Sequence, residues 1–332
     1  MKGIVLNRSL SGQLEEREFD SFLIEDNQVK IKIKSAALNH RDEWCRQGLY
    51  PNLKDGVILG SDGAGVIVEL GSKVTHLSLG QEVLVNPAMN WGNNQRVQGK
   101  DFQILGMPSN GTLAEELVVN ADRVFPKPSH LTWEEAASLP LAGLTAYRAL
   151  CYQGEVKAGE KVLVTGFGGG VAQFATQFAL ARDADVYVTS SSPSKIEKAK
   201  SLGVTSGFNY RVAEWTELAN SKVGGFDLII DGAAGNSLND LIQVAAPGGR
   251  IVFYGATLGN PSHLEARKIF WNQLKIMGST MGSDRDFNQM LDLVRTHKIK
   301  PVLDQVFSFS QAVEAFDRMK AGAQMGKIVL KP

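Results

Sequence analysis

Lys161-Val162-Leu163-Val164-Thr165 runs into Gly166-Phe167-Gly168-Gly169-Gly170-Val171 and then into Ala172-Gln173-Phe174-Ala175. The stretch reads as an apolar strand, a glycine turn and a helix with small residues on one side. That order suits a pyrophosphate, which needs a tight turn, a backbone bare enough to approach, and helix N–H groups without internal partners. The register departs from G-x-G-x-x-G, because the series that begins at Gly166 ends on Val171. The turn is therefore read with Gly168, Gly169, Gly170 and Val171 around the anion. Gly169 is taken as the position of closest approach and Ala172 as the small residue that packs helix on strand. On this segment alone an ordinary strand–turn–helix remains an alternative.

The next strand narrows the chemistry. Asp185-Val186-Tyr187-Val188-Thr189-Ser190-Ser191-Ser192-Pro193-Ser194-Lys195 stands about twenty residues on, where a dinucleotide site for NAD carries an acidic residue for the ribose 2′-hydroxyl. This chain offers Ser190 and Ser191 and then Lys195, which suits a 2′-phosphate and so NADPH. Ser192 as N-cap and Pro193 at the first helical position put Lys195 in the first turn. A cation there opposes the helix dipole and calls for an anionic partner, the alternative being a solvated surface lysine.

These residues need elements to hold them. Beyond residue 123, strand and helix alternate: Phe226–Asp231, a helix around 238–245, Arg250–Gly255, a helix near 264–271 and a strand at 274–280. That alternation predicts an α/β fold with a doubly wound parallel sheet. Open sheets of this kind bind ligands beyond their strand ends, which points to Tyr254-Gly255-Ala256 and Thr280-Met281-Gly282, with Asp231-Gly232-Ala233 beside them. Before the glycine turn, Thr132-Trp133-Glu134-Glu135 forms a capping box, and a second helix is expected from Leu141 to Cys151 after Pro140. Residues 1–122 read as mostly strand: Val29, Ile31 and Ile33 alternate with Lys30, Lys32 and Lys34. The glycine-rich 58–68 run suggests a strand that another backbone or a ligand approaches closely. Asn86 to Asn110 is a long polar loop.

A chain of 332 residues with zero formal net charge gives no electrostatic reason to expect nucleic acid or an anionic membrane as partner. Two cysteines, Cys45 and Cys151, and no spanning or signal segment fit a reducing, cytoplasmic setting. The histidines His40, His76, His130, His263 and His297 show no ligand spacing, and there is no Cys-x-x-Cys.

Several further motifs occur in order: Ala37-Leu38-Asn39-His40-Arg41-Asp42 with Arg46-Gln47-Gly48-Leu49-Tyr50-Pro51, Gly60-Ser61-Asp62-Gly63-Ala64-Gly65, Leu139-Pro140-Leu141-Ala142-Gly143-Leu144-Thr145-Ala146-Tyr147, and Asn209-Tyr210-Arg211. On these the chain resembles the medium-chain dehydrogenase/reductases over essentially its full length, and most closely their zinc-lacking, quinone oxidoreductase-like branch. The resemblance implies a GroES-like, mostly-β substrate domain at 1–122, a Rossmann NADP(H)-binding domain at 123–283, and a return segment, 284–332, packing on the first domain. It also implies a cleft between the domains and a homodimer. Lys195 and Tyr210 match positions lining the adenosine 2′-phosphate, and Thr145 matches a nicotinamide-side threonine. Zinc-using relatives hold their metal with a cysteine and a histidine; Asn39 and Ser61 stand at those positions here.

Without a Lewis acid, oxidation of simple alcohols loses its usual alkoxide stabilisation, whereas hydride addition to a conjugated acceptor spreads the charge to a distal oxygen. Donors for that oxygen are sought among Asn39, Arg41, Trp44 and Tyr50. Each also has a purely structural reading: Asn39 in a turn, Trp44 in the core, Arg41 paired with Asp42 or Glu43. The expected activity is NADPH-dependent reduction of a small quinone or α,β-unsaturated carbonyl compound. The alternatives are an alcohol dehydrogenase-like enzyme on another small carbonyl and a non-catalytic NADPH sensor. An S-adenosylmethionine methyltransferase, suggested by Val244–Val252, wants an acid where Ser190 stands and leaves the first 120 or so residues unexplained.

Overall fold

The computed structural model describes residues 1–332. They form two compact units, Met1–Ala142 with Ser283–Pro332, and Gly143–Gly282.

In the second unit six strands form one parallel sheet. Named by first residue, the order is Ser206, Asp185, Lys161, Phe226, Ala245, Lys275. Lys161–Val164 is central because Val162, Leu163 and Val164 are apolar and fully buried on both faces. The strand order reverses between Lys161–Val164 and Phe226–Asp231, the switch point at which such sheets open a crevice beyond their C-terminal ends. The glycine turn leaves the sheet at that point. The helix that follows, Gly170–Leu180, buries Ala172, Phe174, Ala175, Phe178 and Ala179. Ala172 is thus the small packing residue the sequence called for.

The helix expected over 141–151 divides. Pro140–Tyr147 is α-helical, and Arg148–Gln153 widens into a π-helix. The strand expected over 274–280 is shorter, Lys275–Gly278, so Thr280-Met281-Gly282 lies beyond it.

In the first unit a seven-stranded sheet is built on the long strand Gln28–Ala37. Val29, Ile31 and Ile33 point into the core from this strand, as the period of two requires. Asp62–Leu70 pairs antiparallel with it, as does Lys327–Lys331 from the end of the chain. Leu303–Ser308 then adds at the edge, parallel to Lys327–Lys331. Residues 123–142 belong with this unit rather than with the parallel sheet. The helix Trp133–Ser138 buries Ala136 and Ala137 against strands Gln28–Ala37 and Asp62–Leu70. Its Thr132 side chain accepts from the Glu135 N–H while Glu135 accepts from the Thr132 N–H, the expected capping box.

The 86–110 segment is more ordered than a polar loop. Ala88–Met89 pairs with Gln103–Ile104, Trp91 is buried edge-on to Phe102, and its indole donates to the Asn94 carbonyl at 3.0 Å. The glycine-rich strand is approached by other backbone: a Cβ on Gly65 would stand 2.2 Å from the Lys32 carbonyl oxygen. Gly65→Ala must therefore displace the strand pairing, and we expect a loss of at least about 1–3 kcal/mol in urea unfolding. A variant as stable as the parent would show that the strands part without cost.

Candidate active site

Beyond the C-terminal ends of the parallel strands lie most of the residues singled out for a dinucleotide. Gly166 and Gly168 have φ of 64° and 137°, conformations that only glycine adopts without strain. Gly169 is the helix N-cap in extended geometry, and a Cβ there would meet nothing closer than 3.7 Å. The glycine requirement of the protein's own fold thus falls on 166 and 168, not on 169. The N–H groups of Gly170, Val171 and Ala172 open the first turn of the helix, where intrahelical acceptors are missing.

Lys195 reaches this turn from the helix Pro193–Ser201. A Cβ on Gly168 would stand 2.9 Å from the Lys195 Cδ and 3.0 Å from its Nζ. An ammonium and a helix N-terminus, both positive, therefore face one space, an arrangement that favours an anion. Ser190 ends its strand buried, directly paired with Asn209, so Tyr210, half-exposed, follows on the neighbouring strand end. Ser192 does cap the helix at Pro193, but its hydroxyl pairs with Ser194 at 2.8 Å instead of with a helix N–H. Ser191 lies between them, partly buried.

Farther along the same sheet edge, Thr145 Oγ1 lies 3.8 Å from the Met281 sulfur, and Met281 is held at a φ of 43°. Thr280 is exposed and Gly282 buried beside it. Tyr254 covers Gly232, where a Cβ would meet its ring and hydroxyl at 2.7 Å. Burial, and after it the Asp231 charge, push the Tyr254 phenol above its ordinary range. Gly255 approaches the Gly232 carbonyl, and Ala256 is exposed. Asp231 is spent internally: it accepts from Thr165 Oγ1 and from the N–H groups of Ala233 and Ala234. The glycine turn and the helix start offer donors that could hold a dinucleotide pyrophosphate at 168–172.

In the first unit, sheet pairing brings Asn39, Asp62 and Lys327 together. Ala37 pairs directly with Asp62, and the Leu38 N–H donates to the Ile328 carbonyl at 2.9 Å. The buried Lys327 ammonium donates to Asn39 Oδ1 at 2.6 Å, to the Leu38 carbonyl at 2.7 Å and to Asp62 Oδ2 at 3.0 Å. Asn39 Nδ2 donates to the same Asp62 oxygen at 2.9 Å, and the other Asp62 oxygen accepts the Leu141 N–H at 2.7 Å. Flipping the Asn39 amide would forfeit two charge-assisted bonds, each worth about 1.5–3 kcal/mol. One Asn39 amide hydrogen is left without a protein acceptor.

The other three candidates take different roles. Arg41 is buried and pinned: its Nη1 donates to Ser61 Oγ at 2.6 Å and the Leu105 carbonyl at 2.9 Å, and its Nη2 to the Met107 carbonyl at 3.3 Å. It anchors the 105–107 backbone and also forms the expected ion pair with Asp42, Nη1 lying 3.6 Å from Oδ1, while Glu43 is taken by Arg46. Tyr50 lies under the Arg41 guanidinium at 4.6 Å, and Trp44 stands edge-on to the exposed His40 at 5.0 Å. Both aromatic rings are partly open to solvent. Cys45 is buried, and desolvation pushes its thiol up to about 12.

No group of three or more His, Cys, Asp and Glu side chains gathers with metal-ligand geometry. Lys327 went unread in the sequence. Its signal was a lysine opening the otherwise apolar Lys327-Ile328-Val329-Leu330 strand, buried on both faces.

The comparisons agree with this architecture. Residues 25–129 match the family model of the alcohol dehydrogenase GroES-like domain, and residues 170–296 that of zinc-binding dehydrogenases. A zinc-type alcohol dehydrogenase-like protein of Leptosphaeria maculans is 35% identical over 92% of this chain and 90% of its own length. One from Schizosaccharomyces pombe is 35% identical over 98% of both chains. The crystal structure of an NAD-dependent alcohol dehydrogenase superposes with a TM-score of 0.94 at 33% identity, covering 100% of both chains. A crotonyl-CoA reductase of Streptomyces collinus is 29% identical over 82% of this chain and 67% of its own. The chain belongs to the medium-chain dehydrogenase/reductase superfamily and is an oxidoreductase of that family.

Asp42 carries a pH signature. Its carboxyl is fully buried, with Oδ2 accepting the Asn39 N–H at 2.8 Å and Oδ1 lacking any hydrogen bond. Burial pushes it up to about 6, against the lowering influence of Arg41. Its folded value lies above the unfolded value of about 3.9, so the folded state binds the proton more tightly. This group's penalty is absent below pH 4, grows as the pH rises and is complete above the folded value. Relative to the parent, Asp42→Asn should gain up to about 3 kcal/mol between pH 4 and pH 7.5 in denaturant unfolding. A pH-independent difference would contradict this environment for Asp42.

Proposed function

We propose that the protein is a zinc-independent, NADPH-dependent oxidoreductase that reduces quinones or α,β-unsaturated carbonyl compounds. The observation that carries this reading is the Lys327 ammonium lodged on Asn39 and Asp62. A cation already stands among the side chains that correspond to the metal-binding region of zinc-using relatives, and Asn39 and Ser61 are poor substitutes for thiolate and imidazole. Bound NADPH would supply a hydride to the electrophilic carbon of the acceptor. The electron pair displaced by that addition comes to rest on the distal oxygen as enolate or phenolate, and a proton from water completes the product. Asn39 offers its remaining N–H to that oxygen, Trp44 and Tyr50 offer aromatic surface to a flat acceptor, and Arg41 holds the segment in place. The Streptomyces collinus relative, named for reducing a conjugated thioester, supports a conjugated acceptor.

Lys195 near Gly168, with serines where an acid would mark NAD, supports NADPH as the preferred cofactor. We also propose a homodimer. Lys275–Gly278 is an edge strand, and Phe270 and Trp271 beside it are 67% and 78% exposed. A second copy would pair that edge by two-fold symmetry and cover both rings. Two free cysteines suit the cytoplasm.

Three measurements test the reading. Lys195→Ala should weaken NADPH binding about ten- to a hundredfold and leave NADH nearly unchanged, as expected for one charge-assisted contact of about 1.5–3 kcal/mol; equal binding of both cofactors by the parent would overturn the choice of NADPH. Purified protein should hold no stoichiometric zinc and keep its activity in chelator, whereas one tightly held zinc per chain would restore the alcohol dehydrogenase reading that the 33%-identical structure suggests. Against a substrate panel, quinones and enals should be reduced and saturated alcohols left nearly untouched, with Asn39→Ala lowering turnover about ten- to a hundredfold. Rapid oxidation of a simple alcohol with inert quinones and enals would place the protein in another reaction class.

A further inference from the structure

We infer that Lys327 is a positioning residue for hydride transfer: with Asp62 it fixes and polarises the Asn39 amide so that the one remaining N–H of Asn39 becomes the donor to the reduced acceptor's oxygen. The inference rests on the proposed reaction and adds a residue from the far end of the chain to it.

The geometry admits only one orientation of the amide. An ammonium has donors and no acceptor, so it takes Asn39 Oδ1, at 2.6 Å. A carboxylate has acceptors and no donor, so it takes Asn39 Nδ2, at 2.9 Å. Each charged group is in turn immobilised. Lys327 spends its other contacts on the Leu38 carbonyl and Asp62, and Asp62 uses its second oxygen on the Leu141 N–H. An asparagine without these neighbours could present either end of its amide to a substrate oxygen, and the oxygen end would repel it.

The charge placement also bears on donor strength. A cation on an amide oxygen draws electron density through the conjugated O–C–N unit, which makes both N–H groups better donors; in a low-dielectric site such polarisation along a chain of hydrogen bonds is strengthened. One N–H is held by Asp62, and the other has no protein acceptor. The group left over is therefore fixed in direction and strengthened as a donor, which is what an oxyanion-type contact requires. Asn39 is 93% buried by the fold, its exposure being 7%, so the donor acts in surroundings where water competes little.

Lys327→Met alone leaves Asp62 charged and buried, so the test uses the charge-neutral double variant Lys327→Met/Asp62→Asn, alone and combined with Asn39→Ala. Thermal midpoint and NADPH affinity are recorded for every variant. The side-chain amide signals of Asn39, identified in 15N-labelled protein by their loss in Asn39→Ala, report its orientation without any turnover. With the best acceptor of the quinone and enal panel, the double variant should lower kcat about ten- to a hundredfold, with KM and NADPH affinity within about threefold of the parent. In the Asn39→Ala background the same changes should cost less than about threefold more, because the group they position is gone. The Asn39 amide signals should move and exchange faster in the double variant. The inference is overturned if those signals do not move, if kcat is unchanged, or if the loss in kcat is the same with and without Asn39. A parent inert towards the whole panel would instead overturn the proposed reaction, and the amide signals would then decide on the positioning by themselves.

Discussion

The buried Lys327 ammonium on Asp62 and Asn39 is the contact on which the first unit's candidate chemistry depends. Removing one partner of such a buried, hydrogen-bonded pair typically costs about 3–5 kcal/mol, because the other charge is left without compensation. The contact is available only because the last strand of the chain returns to pair with Gln28–Ala37, whose neighbour on the other side begins at Asp62. A residue near the C-terminus thereby sets the orientation of a side chain near position 40. The same carboxylate takes the Leu141 N–H, so one group satisfies a helix start, a lysine and an amide together.

The second unit solves a related problem with backbone. Asp231 ends a central strand and could have been a ligand contact, yet its oxygens are consumed by Thr165 and by the turn at Ala233 and Ala234. That carboxylate stiffens the rim of the crevice. The positive side is left to the helix start at Gly170 and to Lys195, which lies against the turn. A charged group facing an open turn favours a ligand of opposite sign, and a phosphate fits the N–H geometry.

How much of this was legible in the sequence follows from the range of the interactions. The parallel sheet was readable because its strands and helices alternate with clear hydrophobic runs, and those patterns are local. The capping box at Thr132 and the small Ala172 were readable for the same reason. The Asn39–Asp62–Lys327 cluster was not, because it depends on strand pairing between residues 265 or more positions apart for its longest contacts. Arg41 was legible only in part: its ion pair with the adjacent Asp42 is local, whereas its hydrogen bonds to carbonyls of the 105–107 segment exist only because tertiary folding brings them near. The π-helical widening at Arg148–Gln153 was likewise not legible, since the segment holds no glycine or proline to mark it.

The proposed reaction is direct, metal-independent hydride transfer from NADPH to a conjugated acceptor. NADPH deuterated at the transferable position of the nicotinamide, given with an enone to chelator-treated protein, tests it in a single turnover. The product should carry deuterium on the carbon β to the carbonyl, from one face of the nicotinamide only, while the α-proton comes from water. Deuterium remaining on the cofactor, or reaching the product only after zinc is restored, would contradict that reaction.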